Sequence, residues 1–206
     1  MNHEQRKANL IEAYNRRAEQ RNKSKIENWK EKERERFLSL LQQDKKLSLL
    51  EIGAGHGRDS LFFQEHGFHV TAIDLSPVMV SLCQRKGISA QVMDMTALEF
   101  EPQSFEAVYA LNSFLHLSKQ EFTIGLENLY KVLQPDGLFY LGLYGGVDFE
   151  GIWEDDPYTP KRFFSFHTDE SLKLILANWF EIIYFQRIVF KEGKKDFQSV
   201  ILRKSL

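Results

Sequence analysis

The sequence predicts a doubly wound α/β domain, and three observations carry that prediction. From Leu47 onward, short apolar runs suited to buried strands alternate with stretches of helical period, the rhythm of a mostly parallel sheet covered on both faces. A glycine-rich loop stands at the first strand-to-helix junction, and carboxylates stand at the ends of the next two strands. The 206 residues, 43% hydrophobic and 27% charged, suit one domain of ordinary to large size with ample core material.

Residues 4 to 41 are polar, with apolar positions at Leu10, Ile11, Tyr14, Ala18, Ile26, Trp29, Phe37, Leu40 and Leu41 spaced mostly by three, four or seven. That spacing predicts one or two amphipathic helices with a thin apolar stripe. A thin stripe buries little, so the segment reads as a lid or as a solvated helix, and residues 1–41 are set apart as an N-terminal helical cover on a domain spanning 42–206. Leu47 to Ile52 reads as the first strand, followed by a helix from about Gly57 to His66 that Gly67 closes. His69 to Asp74 is the second strand, after which Ser76 caps a helix with Pro77 in its first turn, ending near Gly87. Strands follow at Ser89 to Met93 and Glu106 to Leu111. Ser118 and Glu121 form a capping box for a helix with Phe122, Leu126, Leu129 and Leu133 on its buried face. Pro135-Asp136-Gly137 turns into a strand from Leu138 to Tyr144, and about twenty residues without clear period run to Phe166. Thr168 then caps a helix to about Asn178. Phe180 to Phe190 and Phe197 to Arg203, joined by Glu192-Gly193-Lys194-Lys195, read as an antiparallel hairpin.

The net charge of −2 argues against a globally basic surface made for nucleic acid or anionic membrane. Residues 1 to 36 hold eleven Lys/Arg against seven Glu, so the basic bias is confined to the N-terminus. Within it, Lys30 to Arg36 alternates in sign and reads as a solvated helical face rather than an RNA contact. The single cysteine, Cys83, allows no internal disulfide and fits the reducing cytoplasm. No run approaches ~18 apolar residues and no apolar signal core is visible, so neither a membrane span nor a leader is expected. His3, His56, His66, His69 and His167 show no metal-ligand spacing, and no metal is expected.

The strongest constellation runs Leu49-Leu50-Glu51-Ile52-Gly53-Ala54-Gly55-His56-Gly57-Arg58. Glycines permit a tight turn and let a ligand lie against backbone beside the N–H groups of the helix start. Asp74 lies 21 residues after Gly53 at a strand end, where a carboxylate accepts bonds from both ribose hydroxyls, and Asp94 ends the third strand. The ligand is then a nucleotide cofactor, either a dinucleotide or S-adenosylmethionine. A dinucleotide fingerprint wants Gly or Ala where Arg58 stands. Glu51 would repel a pyrophosphate but suits the ammonium of a methionine moiety, so the acids favour the sulfonium cofactor.

On these residues the chain from about Leu47 to Arg203 resembles the class I S-adenosylmethionine-dependent methyltransferases. Glu51 to Gly57 is similar to the family's first motif, Phe105 to Leu111 to its fourth, and Leu129 to Tyr140 to its Leu-x-Pro-Gly-Gly region, here Leu133-Gln134-Pro135-Asp136-Gly137. The resemblance implies a Rossmann-like, seven-stranded sheet ending in the antiparallel hairpin, with S-adenosylmethionine as cofactor and S-adenosylhomocysteine as product. It also implies Gly53 and Gly55 bordering the cofactor, Asp74 at the ribose, and Asp94 with Met95 at the adenine, and Leu75 belongs to the expected cofactor set. Tyr14, Glu51 and Asn112 complete the expected cofactor set.

Methyl transfer is an in-line displacement from a sulfonium that is already activated, so positioning supplies much of the catalysis and a base is optional. His116 is the candidate base, because it lies just beyond the fourth strand at the edge where open α/β sheets place their sites; the alternative is a histidine packed beside the next helix. Asn112 touches cofactor or acceptor, or caps a turn; its amide is no base. Tyr144, Arg162 and His167 are the expected substrate-binding residues, with Trp153 and Tyr158 on the same segment. Arg162 either clamps a carboxylate or phosphate or pairs with Glu154, Asp155 or Asp156. The expected function is cytoplasmic methylation of a small-molecule acceptor, without a nucleic-acid or membrane partner and with oligomeric state open. Two alternatives stand beside it: an RNA or protein methyltransferase docking through the basic N-terminus, and a non-catalytic S-adenosylmethionine-binding module.

Overall fold

The computed structural model describes residues 2–190 and 195–205. α1 (His3–Asn22) starts where the Asn2 side chain accepts the Gln5 N–H at 2.9 Å, and α2 (Asn28–Gln43) follows. Next come β1 (Ser48–Ile52), α3 (Arg58–Glu65), β2 (His69–Asp74), α4 (Pro77–Arg85), β3 (Ser89–Val92) and β4 (Phe105–Leu111). A 3₁₀ turn over Phe114–His116 leads to α5 (Lys119–Val132) and β5 (Leu133–Gly145). The chain ends with β6 (Phe149–Ile152), β7 (Phe163–Phe166), α6 (Asp169–Ala177), β8 (Glu181–Ile188) and β9 (Asp196–Arg203). The capping roles of Ser76, the Ser118/Glu121 box and Thr168 are all present.

The main sheet is Rossmann-like and seven-stranded, ordered β3-β2-β1-β4-β5-β9-β8. β3 to β5 are mutually parallel, and β9 runs antiparallel to both β5 and β8. Alternation along each strand feeds two cores. Leu50, Val108, Phe139 and Leu141 pack with Phe122, Leu126 and Leu129 of α5. Leu49, Tyr109, Leu138 and Tyr140 pack on the other face with Phe37 and Leu41 of α2 and Phe63 of α3. The strand order reverses between β1 and β4, so the loops leaving their C-terminal ends diverge and open a crevice. No helix among the described residues is long and apolar enough to cross a membrane.

Several expectations need correction. The charged run in α2 is not wholly solvated: Glu33 accepts the Ser199 hydroxyl at 2.6 Å, and Arg34 donates to Asp59 at 2.7 Å, both buried. Glu33 and Arg34 precede Phe37 and Leu38 by one helical turn, so they share the inward face. The long segment to Phe166 is not structureless, because β6 and β7 pair antiparallel within it, Phe149 opposite Phe166 and Ile152 opposite Phe163. Pro135-Asp136-Gly137 sits inside β5 as an irregularity, with Asp136 at φ 58° and a register jump against β4. Leu133 consequently opens β5 instead of closing α5. Of the expected hairpin turn, Glu192, Gly193 and Lys194 lie outside the described residues.

Candidate functional site

β1 delivers Glu51 to the crevice, and the chain then turns through Gly53, Gly55 and Gly57 with φ of 73°, 56° and 77°. At Gly53 a side chain is barred twice, by that φ and because its Cβ would lie 2.4 Å from Ser113 Cβ. At Gly55 the same atom would meet nothing within 4 Å, so the backbone there is open to a ligand. The Asp74 carboxylate accepts the N–H groups of Gly55 and Ser76, each at 2.8 Å, tying the loop to the start of α4. Burial raises the Asp74 carboxyl, while those N–H groups pull it down.

A cleft opens on this loop, its empty space continuous with solvent. Tyr14, Glu51, Gly53, Gly55 and Asp74 line it. So do Leu75, Met95, Asn112 and His116. Asp94 does not: it borders a smaller adjoining cavity, paired with Lys7 of α1 at 2.8 Å. α1 lies across the opening and presents Leu10, Ile11, Tyr14 and Arg21 to the cavity. It is fastened mostly by polar groups: Ala18 packs on Met79 and Leu82 of α4, while Asn15 accepts the Ser76 hydroxyl at 2.5 Å, Arg6 and His3 meet Glu121, Arg17 donates to the Pro157 carbonyl and Arg21 donates to the Tyr158 hydroxyl at 3.0 Å.

Glu51 is 3% exposed and accepts the Ser60 hydroxyl; burial, with Asp59 near, pushes its carboxyl well above the usual range. Asn112 Oδ1 and Ser113 Oγ are buried in the cavity wall without a hydrogen-bond partner. Two carboxylates, two unsatisfied oxygens and an open glycine backbone along one cleft suit a ligand rich in donors and carrying a cation. A nucleoside with a cationic amino-acid arm fits that description; a pyrophosphate does not.

Beyond this cleft stands a chain of polar groups. His116 is 9% exposed, its Nε2 2.8 Å from the Tyr14 hydroxyl and its Nδ1 2.9 Å from the Phe163 carbonyl. A carbonyl only accepts, so Nδ1 carries the proton and Nε2 accepts from Tyr14. Burial, helped by the charge of Arg162, pushes the imidazole down to about 3. His116 is therefore neutral at physiological pH, and its Nε2 lone pair is taken by the Tyr14 hydroxyl. Arg162 is held within the chain: Asp156 takes its Nε at 3.0 Å and its Nη2 at 2.7 Å. Tyr144 and His167 lie off the cavity wall. Tyr144 packs edge-on against Phe197 of β9, and His167 has no solvent exposure, its ring on Phe122. Sequence reasoning missed Arg21 and Ser113, of which only Ser113, two residues past the end of β4, had a positional signal; it offered Asp156 as one of three partners for Arg162, and the structure pairs them.

The fold and the cleft define a nucleotide-cofactor-binding α/β protein. Comparisons with known proteins narrow the class. Residues 49–137 match the family model described as a methyltransferase domain. The phosphoethanolamine N-methyltransferase of Plasmodium falciparum is 22% identical over 191 residues, covering 82% of this chain and 71% of that one. A wheat phosphoethanolamine N-methyltransferase is 25% identical over 81% of this chain, which spans only 33% of that protein's length. Among solved structures, the Burkholderia thailandensis 1,6-didemethyltoxoflavin-N1-methyltransferase, bound to its substrate and S-adenosylhomocysteine, aligns with a TM-score of 0.74 at 20% identity, over 97% of this chain and 87% of that one. Residues 49–137, somewhat under half of the chain, carry a methyltransferase domain, and the comparisons support S-adenosylmethionine as its cofactor.

Proposed function

We propose that this methyltransferase acts on a small amine bearing an anionic group, held beside the cofactor under α1. The observation that carries the proposal is the Tyr14 hydroxyl, which lines the cofactor cavity and is bonded by His116 and Arg162. The cofactor supplies a methyl group already activated on sulfur. The chain's own part is to orient the acceptor: Tyr14 Oη donates to His116 and receives from Arg162, which leaves a lone pair for an N–H of an amine arriving in its neutral form. Arg21, Lys30 and Arg58 line the same cavity and supply positive charge for the cofactor's carboxylate and for an anionic group on the acceptor. The N-methyltransferase names of the Plasmodium, wheat and Burkholderia proteins agree with a nitrogen acceptor.

Within the cofactor cleft, Glu51 takes the ammonium, Asp74 the ribose diol, and Leu75 and Met95 the adenine faces, while Gly53 and Gly55 give backbone room. Asn112 and Ser113 accept donors from cofactor or acceptor. Asp94 acts at one remove, holding α1 through Lys7. α1 alone is the cover, since α2 belongs to the core. A cytoplasmic setting agrees with the free, buried Cys83.

Asp74→Ala removes charge-assisted bonds worth roughly 1.5–3 kcal/mol, so calorimetry should show S-adenosylhomocysteine binding at least about tenfold more weakly. Glu51 gives a pH signature. An ammonium binds the ionised carboxyl, whose pKa burial has raised, so affinity is present above that raised value and is lost as pH falls through it. Glu51→Gln should bind weakly with a flat pH dependence, and an unchanged slope would remove Glu51 from the ammonium site.

The function is tested by incubating the protein with methyl-labelled S-adenosylmethionine and, in separate reactions, phosphoethanolamine, ethanolamine, glycine, bulk tRNA and cell protein. Label in an anionic amine is the expected result. Label in RNA or protein moves the acceptor to a macromolecule, and tight S-adenosylhomocysteine binding with no labelled product identifies a binding module.

A further inference from the structure

The groups behind Tyr14 are more elaborate than a hydrogen bond to His116 requires. Asp156 lies in the Trp153–Arg162 connection, its side chain 1% exposed against 12% for Arg162. One carboxylate oxygen accepts both the backbone N–H and the Nε of Arg162, at 2.8 and 3.0 Å, and the other accepts Nη2 at 2.7 Å. Burial opposes ionisation of Asp156, but the bonds from Arg162 hold its carboxyl below the usual range. The guanidinium lies 3.5 Å above the Tyr158 ring centroid, so it is clamped edge-on by a carboxylate and face-on by an aromatic ring. The remaining terminal nitrogen, Nη1, donates to Tyr14 Oη at 3.0 Å.

Each hydrogen in this chain has one possible direction. Arg162 can only donate, the Phe163 carbonyl can only accept, and His116 between them must accept at Nε2. The tyrosine proton is thus sent to His116, and the oxygen is left with one lone pair uncommitted. Without Arg162 nothing would hold the hydroxyl in line with His116: the bond to Nε2 would be made only part of the time, and neither lone pair would be fixed toward the cavity.

We propose that Asp156 and Arg162 are positioning residues for the transfer: Asp156 locks Arg162, and Arg162 locks the Tyr14 hydroxyl so that a single lone pair meets the acceptor amine. The three partners come from separate elements, Tyr14 from α1, His116 from the turn after β4, and Arg162 from the connection between β6 and β7. The arrangement is complete only while α1 lies over the cavity, so closure of the cover and orientation of the acceptor are one event. This rests on the assignment of Tyr14 as the acceptor's partner.

The test uses the full chain, with Arg162→Met and Asp156→Asn, each alone and combined with Tyr14→Phe. With an amine found to accept methyl, each single variant should lose about 10²-fold in kcat with the KM for S-adenosylmethionine little changed. In the Tyr14→Phe background the same replacements should cause no further loss. Losses that multiply would show that Arg162 acts independently of the hydroxyl and would overturn the proposal. A second measurement needs no acceptor: in ¹⁵N-histidine-labelled protein saturated with S-adenosylhomocysteine, the His116 Nε2 resonance should move from its wild-type position toward its Tyr14→Phe position in both variants while α1 amides stay protected from exchange. An unmoved resonance overturns the proposal, and so does loss of α1 protection in both variants, which would make the pair a fastener of the cover. If no amine is methylated, the assignment of the acceptor fails while the resonance still decides the role of Arg162.

Discussion

Tyr14→Phe is expected to lower kcat by about 10²-fold, the scale on which a misplaced acceptor slows an in-line displacement. The ring stays, so the wall of the cofactor cavity keeps its shape and S-adenosylhomocysteine affinity should change little. Removing the oxygen strands two buried groups, His116 Nε2 and Arg162 Nη1, each left without its partner. Stranding a buried polar group costs roughly 1–3 kcal/mol, so a fall in Tm should accompany the loss of rate. The pH profile separates orientation from base catalysis. His116, held at about 3, stays neutral above pH 5, so kcat/KM should rise with pH as the acceptor amine loses its proton and should show no inflection near 6.5, the value of an unperturbed histidine. A clear inflection there that vanishes in His116→Gln would identify His116 as a general base.

Legibility in the sequence follows the locality of the physics. The glycine loop, Asp74 at the end of β2 and the caps at Ser76, Ser118 and Thr168 depend on residues a few positions apart, and each stands where the sequence put it, whereas Asp94 falls two residues past the end of β3. The inward face of α2 was readable in principle, since Glu33 and Arg34 sit one turn before Phe37 and Leu38; alternating charge concealed it. β6 and β7 were hidden because each is only four residues long and one contains Gly151, leaving no run for a period to emerge. The members of the polar chain at the site were named in the sequence, with Asp156 among three possible partners of Arg162, but their connection was not legible. Tyr14, His116 and Arg162 are separated by 102 and 148 residues in the relevant pairs, and only the closed fold decides that Arg162 meets Asp156 and Tyr14. The same holds for Tyr144 and His167, on the right segment but turned into packing against Phe197 and Phe122.

Deleting residues 1–24 is expected to leave a folded domain that binds S-adenosylhomocysteine at least about 50-fold more weakly. The fold should survive because α1 buries only Ala13 and Ala18, whereas α2, which the deletion spares, carries Phe37 and Leu41 into the core. Binding should fail because Leu10, Ile11, Tyr14 and Arg21 form one wall of the cavity. If that wall covers on the order of 100 Å² of ligand, at ~25 cal/mol per Å² its apolar contribution alone is about 2.5 kcal/mol, close to a factor of 60. The fastenings of α1 are largely polar and partly exposed, Lys7 to Asp94 and Arg6 to Glu121 among them, and such pairs contribute little each and weaken with salt. Open and closed positions of α1 then differ by an amount that a ligand touching its inner face can tip. Amide exchange over residues 8–20 should therefore slow when S-adenosylhomocysteine is added, and the slowing should shrink at high salt. Equal protection with and without ligand would make α1 a fixed wall of the domain, in which case the deletion should also destabilise the fold and calorimetric scans of the two chains would part by many degrees.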